Sequence, residues 1–334
     1  MKSTILVGLQ NGDEGKGKVA YQWMLKNNNF SHAIRFNGGP NAGHCVYANN
    51  QRYILHQIPT GILLPNITCI IGPGCVVDIN KLTNEINTLS AQGVPNIYER
   101  LFISSQAHLI TQKHIEQDRS MNKVGTTASG IGPCYADKAY RTGTRFSSAA
   151  LDTPVRIIEF YDLLTQIPAD NHVFWEGAQG FELDTNWGDY PFVTSSNCTS
   201  AGAFLCGAPF RSVETVIGAA KVYETYLGTK KFQPETDESL PLIQKLGGEV
   251  GNTTGRVRQC NYLHLPRLLR AIQINSVDCI VLNKGDILQE ANIYQYYDLN
   301  QQLKRCDTWE DFKNEVQQCV GNIQIIWSCS PFEL

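Results

Sequence analysis

Residues 8–18 read Gly-Leu-Gln-Asn-Gly-Asp-Glu-Gly-Lys-Gly-Lys, and this glycine-rich stretch decides the fold. The apolar run Ile5–Val7 leads into it, and a helical pattern that begins near Val19 leaves it. A strand, a glycine-rich turn and a helix are the context in which phosphate-binding loops are found. Glycine lets backbone N–H groups approach phosphate oxygens, and the following helix points its positive end at the same place. The stretch therefore predicts a P-loop-like nucleotide-binding loop.

The match to the usual phosphate-binding loop is partial. Gly12, Gly17 and Lys18 fit its glycine–lysine frame, but Val19 stands where a serine or threonine would hold magnesium. A metal ligand must then come from elsewhere, and Asp13 lies inside the loop. A glycine-rich turn with solvated charges would also account for this stretch taken alone.

Short apolar runs of the β type recur along the chain, with helical or loop segments between them. This alternation predicts an α/β fold with a mainly parallel central sheet flanked by helices, and we expect residues 1–334 to form a single domain. The polar residues 26–29 predict the end of the first helix. The predicted strands are Thr4–Val7, Ala33–Phe36, Cys69–Ile71, Leu101–Ile103, Val173–Trp175, Thr215–Ile217, Cys279–Leu282 and Ile323–Trp327.

Composition argues against several classes of protein. With 42% hydrophobic residues the chain can bury a large core, and a net charge of −3 gives no electrostatic reason to expect nucleic-acid binding. No apolar run approaches the roughly 20 residues that span a bilayer, and the N-terminus enters a strand without a signal-peptide pattern. The 11 cysteines are scattered and include no C-x-x-C pair. This spacing argues against both a zinc site and a disulfide framework. We therefore expect a cytoplasmic protein (in the host cytoplasm if viral) that binds neither nucleic acid nor membrane.

Two further glycine-rich loops carry polar groups that a ligand can approach. Residues 37–44, Asn-Gly-Gly-Pro-Asn-Ala-Gly-His, present Asn41 and His44, and a histidine can protonate an oxygen near neutral pH. Residues 125–133 are rich in hydroxyls that suit a phosphate group, and Arg141 follows as a charged partner. A surface turn would account for either loop alone.

Three later stretches indicate recognition of a base and of a small anion. Gln179 can read a heterocycle edge with its amide, and Thr194 can bind phosphate oxygens. Residues 251–258 carry two arginines on a glycine loop, which suits a carboxylate. The N-K-x-D stretch at 283–286 suits guanine, because an aspartate accepts hydrogen bonds from both N1–H and the 2-amino group. Adenine lacks that pair of donors.

Taken together, these motifs resemble the adenylosuccinate synthetase family. The chain is shorter than most bacterial members and resembles the compact archaeal and phage-type members, including the phage 2-amino-2′-deoxyadenylosuccinate synthetase branch. The matching stretches occur in the family's order and span residues 8–286. They read GLQNGDEGKGK, NGGPNAGH, HQIPTGIL, GTTASGIGPCYADKAYRTGTR, EGAQG, YPFVTSSN, TTGRVR and NKGD.

The resemblance implies a ligase of purine nucleotide biosynthesis that works in two steps. Members join L-aspartate to C6 of a 6-oxopurine nucleoside 5′-monophosphate while GTP becomes GDP and phosphate. By this resemblance, Asp13 takes the N1 proton while O6 attacks the γ-phosphorus of GTP, and His44 stabilises or protonates the bridging oxygen. The aspartate amine then displaces phosphate from the 6-phosphoryl intermediate. Mg²⁺ is the implied metal, with Asp13 and the Gly43 carbonyl as its ligands.

The resemblance also implies binding residues for each substrate. For GTP they are Gly12, Gly15, Lys16, Gly17, Lys18, Lys284, Asp286 and Ser328. For the purine monophosphate they are Asn41, Thr127, Gln179 and Thr194, together with Arg141 acting from a neighbouring subunit, which implies a homodimer. For L-aspartate they are Thr254, Arg256 and Arg258.

Several positions depart from the family pattern and leave the acceptor open. Asn11 replaces a tryptophan, Tyr226 replaces an arginine, and residues 128–129 alter the hydroxyl loop. The acceptor is either IMP, which gives adenylosuccinate, or dGMP, which gives 2-amino-2′-deoxy-N6-succinyladenylate in the phage diaminopurine (Z-genome) pathway. Many members of that phage branch lack the catalytic aspartate and use ATP, whereas Asp13 and Asp286 here favour GTP. The alternative from a different class is a catalytically inactive guanine-nucleotide-binding paralogue or switch.

Overall fold

A computed structural model describes residues 1–121, 124–148, 155–251 and 255–334. Within these ranges the chain forms 17 strands and 11 α-helices. The strands are β1 (Lys2–Gly8), β2 (Phe30–Arg35), β3 (His44–Ala48), β4 (Gln51–Leu55), β5 (Thr68–Ile71), β6 (Val76–Val77), β7 (Leu101–Ser104), β8 (His108–Leu109), β9 (Arg156–Ile158), β10 (His172–Glu176), β11 (Val213–Lys221), β12 (Tyr223–Tyr226), β13 (Gln259–His264), β14 (Cys279–Asn283), β15 (Gln295–Tyr297), β16 (Leu303–Arg305) and β17 (Gln324–Trp327). The helices are α1 (Lys16–Lys26), α2 (Ile79–Ala91), α3 (Ile97–Arg100), α4 (Gln112–Ser120), α5 (Ile131–Tyr140), α6 (Phe160–Gln166), α7 (Ser200–Leu205), α8 (Leu240–Leu246), α9 (Leu265–Asn275), α10 (Gly285–Ala291) and α11 (Trp309–Val320).

A nine-stranded sheet runs through the centre in the order β17-β14-β11-β1-β10-β2-β5-β7-β9. Every neighbouring pair in it is parallel, so the predicted α/β fold with a mainly parallel sheet is confirmed. All of the strands predicted from the sequence belong to this sheet. Strand β9 is the member that the sequence does not predict, because it is a short and largely exposed edge strand.

Strand β1 lies in the middle of the sheet and is covered on both faces. Ile5 and Val7 pack into one hydrophobic cluster and Leu6 packs into the other, because successive side chains of a strand point to opposite faces. Burial on both faces explains why β1 reads as a continuous apolar run. The carboxyl ends of parallel strands meet at one edge of a sheet, and this is where the loops with the predicted motifs emerge.

Helix α1 begins at Lys16 rather than near Val19, so the predicted start is too late. Gly15 precedes the helix with a φ of 86°, a left-handed conformation that favours glycine. The first turn, residues 16–18, is charged and small, and it therefore lacks the apolar periodicity by which the rest of the helix is recognised. The helix ends at Lys26, as the polar residues after it predict.

The remaining strands pair outside the central sheet. A second sheet has the order β12-β13-β15-β16, β6 pairs with β8, and β3 pairs with β4 in an antiparallel hairpin that begins at His44. None of the helices in the described ranges combines the length and the apolar character that crossing a bilayer requires.

Candidate active site

A cavity of about 700 Å³ opens among the loops at the carboxyl edge of the sheet. It gathers most of the predicted site residues, although they come from seven separate stretches of the chain. Those that line it are Gly12, Asp13, Gly15, Lys16, Gly17, Lys18, Asn41, Gly43, His44, Thr127, Gln179, Thr194, Arg256, Arg258, Lys284 and Asp286.

Three of the predicted residues stand apart from this lining. Ser328 lies behind it, while Ser330 and Pro331 from the same segment reach the cavity. Arg141 is exposed at the C-terminal cap of α5, with a φ of 66°, so a role in a neighbouring subunit stays a prediction. Thr254 lies outside the described residues.

The phosphate-binding loop is closed by Glu14, a carboxylate that the motif analysis does not single out. Glu14 is fully buried and accepts hydrogen bonds from the backbone N–H groups of Gln10 (3.2 Å) and Gly12 (2.8 Å). It also pairs with Lys16 Nζ. Because Lys16 is only 3% exposed, its charge is held inside the loop. The side chain of Lys18, the other lysine of the first helical turn, is more exposed.

Lys18 links the phosphate-binding loop to the segment near the C-terminus. Its Nζ donates to Ser328 Oγ (2.5 Å) and to the Ser330 carbonyl (2.9 Å). Burial lowers the pKa of Lys18 to about 8, and nearby Asp286 only partly opposes that shift. The protonation of this lysine therefore changes just above neutral pH.

The stretch predicted to read guanine adjoins the phosphate-binding loop. Asn283 Nδ2 donates to the Glu14 carbonyl (2.7 Å), which ties the end of β14 to the loop after β1. Lys284 Nζ donates to the Gly247 carbonyl (2.9 Å), and burial lowers the pKa of this lysine. Asp286 lies in the first turn of α10 and lines the cavity. One purine nucleotide can therefore place its base beside Asp286 and its phosphates on the loop.

Asp13 is held in an ion pair with Arg258. Arg258 Nε donates to Asp13 Oδ2 at 2.6 Å, and the Asp13 side chain is 29% exposed. The backbone of Asp13 has a φ of 58°, an uncommon conformation for a residue other than glycine, and such conformations concentrate at functional sites. The predicted base and a predicted aspartate-binding arginine are thus in direct contact.

A buried charge network supports Arg258 from behind. Glu249 accepts hydrogen bonds from Arg258 Nη1 (2.7 Å), Lys221 Nζ (2.9 Å) and the Tyr223 hydroxyl (2.7 Å). Burial alone would raise the pKa of Glu249, but the charges of Lys221 and Arg258 outweigh it and lower the pKa to about 2. No motif in the sequence predicts this network. Its one local signal is Lys221, a charged residue that ends the buried strand β11 at the edge where sites form.

His44 is buried and its ring is neutral near neutral pH. Its Nδ1 donates to Glu176 Oε1 at 2.5 Å, and its Nε2 has no hydrogen-bond partner among the described residues. Burial and the charge of Arg35 lower the pKa of His44 to about 4, despite the opposing effect of Glu176. A Cβ atom at Gly17 would lie only 2.8 Å from His44 Cβ, so glycine at that position lets α1 approach the histidine.

Two amides in the cavity wall carry polar atoms without partners. Gln179 Oε1 and both polar atoms of the Asn11 side chain are buried and make no hydrogen bond within the part of the chain that the structure describes. A buried polar atom left unpaired costs about 1–3 kcal/mol. A ligand that completes these hydrogen bonds would offset that cost, and the base-binding role of Gln179 stays a prediction.

The hydroxyl loop is joined to the arginine loop. Arg256 Nη2 donates to the Gly125 carbonyl at 2.9 Å. Asp118 then fixes the rest of the loop by accepting from Thr126 Oγ1 (3.0 Å) and from the backbone N–H of Gly130 (2.8 Å). Thr127 is thereby positioned in the cavity wall.

Tyr226, at which the resemblance implies an arginine, is 3% exposed and lines the cavity. Lys230 Nζ lies 4.7 Å from the centre of its ring and 2.8 Å from Asp189 Oδ2. A positive charge is therefore still close to this position, but it belongs to another residue.

The residues present suit magnesium bound together with phosphates rather than in a cage of protein ligands. No group of three or more histidine, cysteine, aspartate or glutamate side chains that could hold a metal occurs in the described ranges. Mg²⁺ in nucleotide-dependent enzymes is commonly held by one or two carboxylates plus substrate phosphates. The Asp13 carboxylate and the Gly43 carbonyl, which line the same cavity, fit that mode.

Comparison with known proteins agrees with the motifs. The family model described as adenylosuccinate synthetase matches residues 5–164 and 156–324. A protein named adenylosuccinate synthetase from Thermodesulfovibrio yellowstonii is 36% identical over 379 residues, covering 99% of this chain and 86% of its own. A protein of the same name from Acaryochloris marina is 34% identical over 382 residues, covering 99% of this chain and 82% of its own.

Two solved structures share the fold. The fully ligated adenylosuccinate synthetase from Plasmodium falciparum gives a TM-score of 0.84 at 26% identity, with 98% of this chain and 97% of that chain covered. The succinoaminodeoxyadenylate synthetase of cyanophage S-2L, bound to dGMP and dATP, gives a TM-score of 0.78 over 99% of this chain and 93% of that chain. At 21% identity the second likeness concerns the fold alone. The sequence matches confirm the resemblance, and the chain belongs to the adenylosuccinate synthetase family of ligases.

Proposed function

We propose that this protein joins L-aspartate to C6 of a 6-oxopurine nucleoside 5′-monophosphate and uses GTP as the phosphoryl donor. The observation that carries the proposal is the composition of one cavity. Asp13 and His44 line it together with Asp286, which suits guanine, and Arg256 and Arg258, which suit a dicarboxylic amino acid. A guanine-nucleotide switch has no use for the arginine pair.

The proposed chemistry begins with Asp13 taking the N1 proton of the acceptor base. The electron pair released in this way makes O6 a nucleophile, which attacks the γ-phosphorus while the bond to the leaving GDP breaks. The amine of L-aspartate then attacks C6 and loses a proton, while the C6–O6 bond breaks and O6 departs with the phosphate. Asp13 and the Gly43 carbonyl would hold Mg²⁺, which would supply charge neutralisation at the phosphates.

The Asp13–Arg258 ion pair connects the proposed base with the proposed L-aspartate site. Arg258 already donates to Asp13 and to Glu249, so a carboxylate of L-aspartate that binds Arg258 competes with Asp13 for its N–H groups. Release of Asp13 and binding of L-aspartate are then coupled. The network behind Arg258 keeps the guanidinium in place during this exchange, because Glu249 is buried and held by Lys221.

For the acceptor we propose IMP, supported by relatives that are 34–36% identical over almost the whole chain and are named adenylosuccinate synthetase. A second candidate is dGMP, and one observation favours it. Asn11 stands two residues before Asp13 in the cavity wall, and its Oδ1 is buried without a donor in the described structure. The 2-amino group of dGMP would supply such a donor, whereas IMP has none at that position.

The direct test is to incubate the protein with GTP, Mg²⁺ and L-aspartate and with IMP, dIMP, GMP or dGMP separately, and to identify products by mass. We expect a succinyl adduct and equimolar phosphate with IMP. An adduct formed only with dGMP would transfer the assignment to the second candidate. Stoichiometric GTP binding without phosphate release for any acceptor would instead indicate a binding protein.

The variant Asn11→Leu separates the two acceptors, because leucine keeps the size of asparagine but cannot accept a hydrogen bond. If Asn11 reads a 2-amino group, kcat/KM for dGMP falls about 10-fold to 100-fold relative to that for IMP. Equal changes for both nucleotides would remove Asn11 as a specificity residue. The unmodified protein, measured with both nucleotides, is the reference.

A further inference from the structure

The segment after β17, residues 328–334, packs against one side of α1, and we call it the strap. Three α1 residues, each about one helical turn from the next, donate to main-chain oxygens of alternate strap residues. Residues with that spacing lie on the same face of a helix. The pairs are Lys18 Nζ with Ser330 (2.9 Å), Gln22 Nε2 with Phe332 (2.6 Å) and Lys26 Nζ with Leu334 (3.4 Å). One face of α1 therefore holds the strap through side-chain donors.

Gln22 provides the anchor that lies outside the ligand cavity. It follows the phosphate-binding stretch, residues 8–18, and stands apart from the residues that line the cavity. Gln22 is 9% exposed, and its hydrogen bond to the strap is the shortest of the three. Lys26 is exposed and its contact is long, so water competes with that hydrogen bond. Gln22 therefore contributes more than Lys26 to holding the strap.

The strap connects the phosphate-binding loop with the stretch that is proposed to read guanine. Ser328 is 1% exposed, and its Oγ accepts from Lys18 Nζ (2.5 Å) and donates to the Glu333 carbonyl (2.7 Å). The Ser328 carbonyl accepts from the backbone N–H of Gly285 at 3.2 Å. Gly285 begins α10 and directly precedes Asp286. The strap is thus fixed between α1 and α10.

The strap also forms part of the cavity wall. Ser330 and Pro331 line the cavity, and the ring of Phe332 meets that of Tyr47 edge-on, with 5.3 Å between the ring centres. A lysine ammonium carries three hydrogens. Within the described part of the chain, Lys18 Nζ gives two hydrogen bonds to the strap, which leaves one hydrogen for a phosphate.

We propose that Gln22 is a positioning residue for the guanine nucleotide, an inference that rests on the proposed function. By binding Phe332, Gln22 holds the strap against α1, and the strap holds Lys18 at the phosphate-binding loop. A strap that left α1 would remove Ser330 and Pro331 from the cavity wall. It would also release the long side chain of Lys18, and ordering that side chain again would reduce the free energy gained on binding.

The variant Gln22→Met tests the proposal, because methionine has nearly the same length but no N–H group to donate. The loss of one hydrogen bond corresponds to a change of roughly threefold to tenfold in an equilibrium constant. We expect the Kd for GDP and the KM for GTP to rise by that factor. We expect kcat and the KM for L-aspartate to change less than about twofold, because Gln22 acts on the nucleotide alone.

Lys26→Met is the matched control, since it removes the exposed and long contact from the same face of α1. We expect its Kd for GDP and its KM for GTP to stay within about twofold of the unmodified values. Gln22→Lys restores a donor at the same position and should recover most of the affinity. A folded Gln22→Met protein that binds GDP as tightly as the unmodified protein would overturn the proposal.

Hydrogen exchange of the strap gives a second measurement that needs no turnover. In the unmodified protein we expect peptides that cover residues 328–334 to exchange at least about threefold more slowly with GDP bound, because the nucleotide packs against the strap. Without nucleotide, we expect these peptides to exchange faster in Gln22→Met than in Lys26→Met. Equal rates in either comparison would overturn the proposal. Failure of every acceptor to give turnover would refute the proposed ligase activity, and GDP affinity and exchange rates would still decide the role of Gln22.

Discussion

At the scale of single residues, Asp13 carries the largest share of the proposed chemistry. Asn at this position keeps the shape but cannot take the N1 proton. We expect Asp13→Asn to lower phosphate release at least about 100-fold, while GTP binding changes less than about threefold. Release of phosphate is measured with L-aspartate and the preferred acceptor, and GTP binding is measured separately. Asp170→Asn, an exposed position, is the control, and unchanged turnover in Asp13→Asn would refute the assigned role.

Asp286 carries the proposed specificity for guanine. An asparagine there offers one acceptor and one donor in place of two acceptors, so it suits xanthine better than guanine. Because hydrogen bonds to charged groups contribute about 1.5–3 kcal/mol, we expect Asp286→Asn to raise KM for GTP relative to XTP by about 10-fold or more. The measurement is turnover with each nucleotide in parallel. An unchanged ratio of GTP to XTP use would show that Asp286 does not read the base.

Lys18 predicts a pH dependence of nucleotide binding. With a pKa of about 8 it is charged below that pH and becomes neutral above it. Only the charged form attracts phosphates. We therefore expect the affinity for GDP to change little from pH 7 to 8 and to fall by up to about tenfold per pH unit at higher pH. In Lys18→Arg the charge persists, because arginine does not lose its proton in this range. The same slope in both proteins, measured by calorimetry, would assign the effect to another group.

At the scale of elements, the close contact between α1 and β3 depends on the absence of a side chain at Gly17. A Cβ atom at Gly17 would lie 2.8 Å from His44 Cβ, whereas at Gly132 of α5 the nearest atom would be 3.4 Å away. We expect Gly17→Ala to destabilise the fold by about 1–3 kcal/mol through overpacking. We expect Gly132→Ala to be neutral or to stabilise by up to about 1 kcal/mol. Urea denaturation of both variants measures the difference, and equal midpoints would contradict it.

At the scale of the whole molecule, the proposed homodimer predicts complementation between two inactive variants. If Arg141 acts in the site of its neighbour, mixed dimers of Asp13→Asn and Arg141→Ala contain one intact site and one doubly altered site. Random exchange then restores about a quarter of the unmodified activity. The exposed position of Arg141 at the end of α5 is compatible with this arrangement. Exchanged mixtures that remain inactive would indicate that each subunit completes its own site.

The central strands and the glycine-rich loops are predictable from the sequence for physical reasons. Apolar runs predict all but one strand of the central sheet, because strands such as β1, β10 and β14 are buried on both faces and are therefore apolar. The exception, β9, is an exposed edge strand and leaves little pattern. Glycine-rich loops predict most of the cavity lining, because loops that approach a ligand closely need small residues with free backbone geometry.

By itself, the sequence determined the α/β fold and the family, and it predicted many of the residues that line the cavity. Only the tertiary structure decided how those residues are paired. Asp13 meets Arg258 across 245 positions of the chain, and His44 meets Glu176 across 132. Glu176 opens the EGAQG stretch, but nothing in that stretch indicates its contact with His44, and Glu249 lies outside the motifs identified in the sequence. The physical reason is that charge pairing and burial depend on distances in space, which a pattern of neighbouring residues does not contain, whereas periodicity and turn formation depend on neighbours alone.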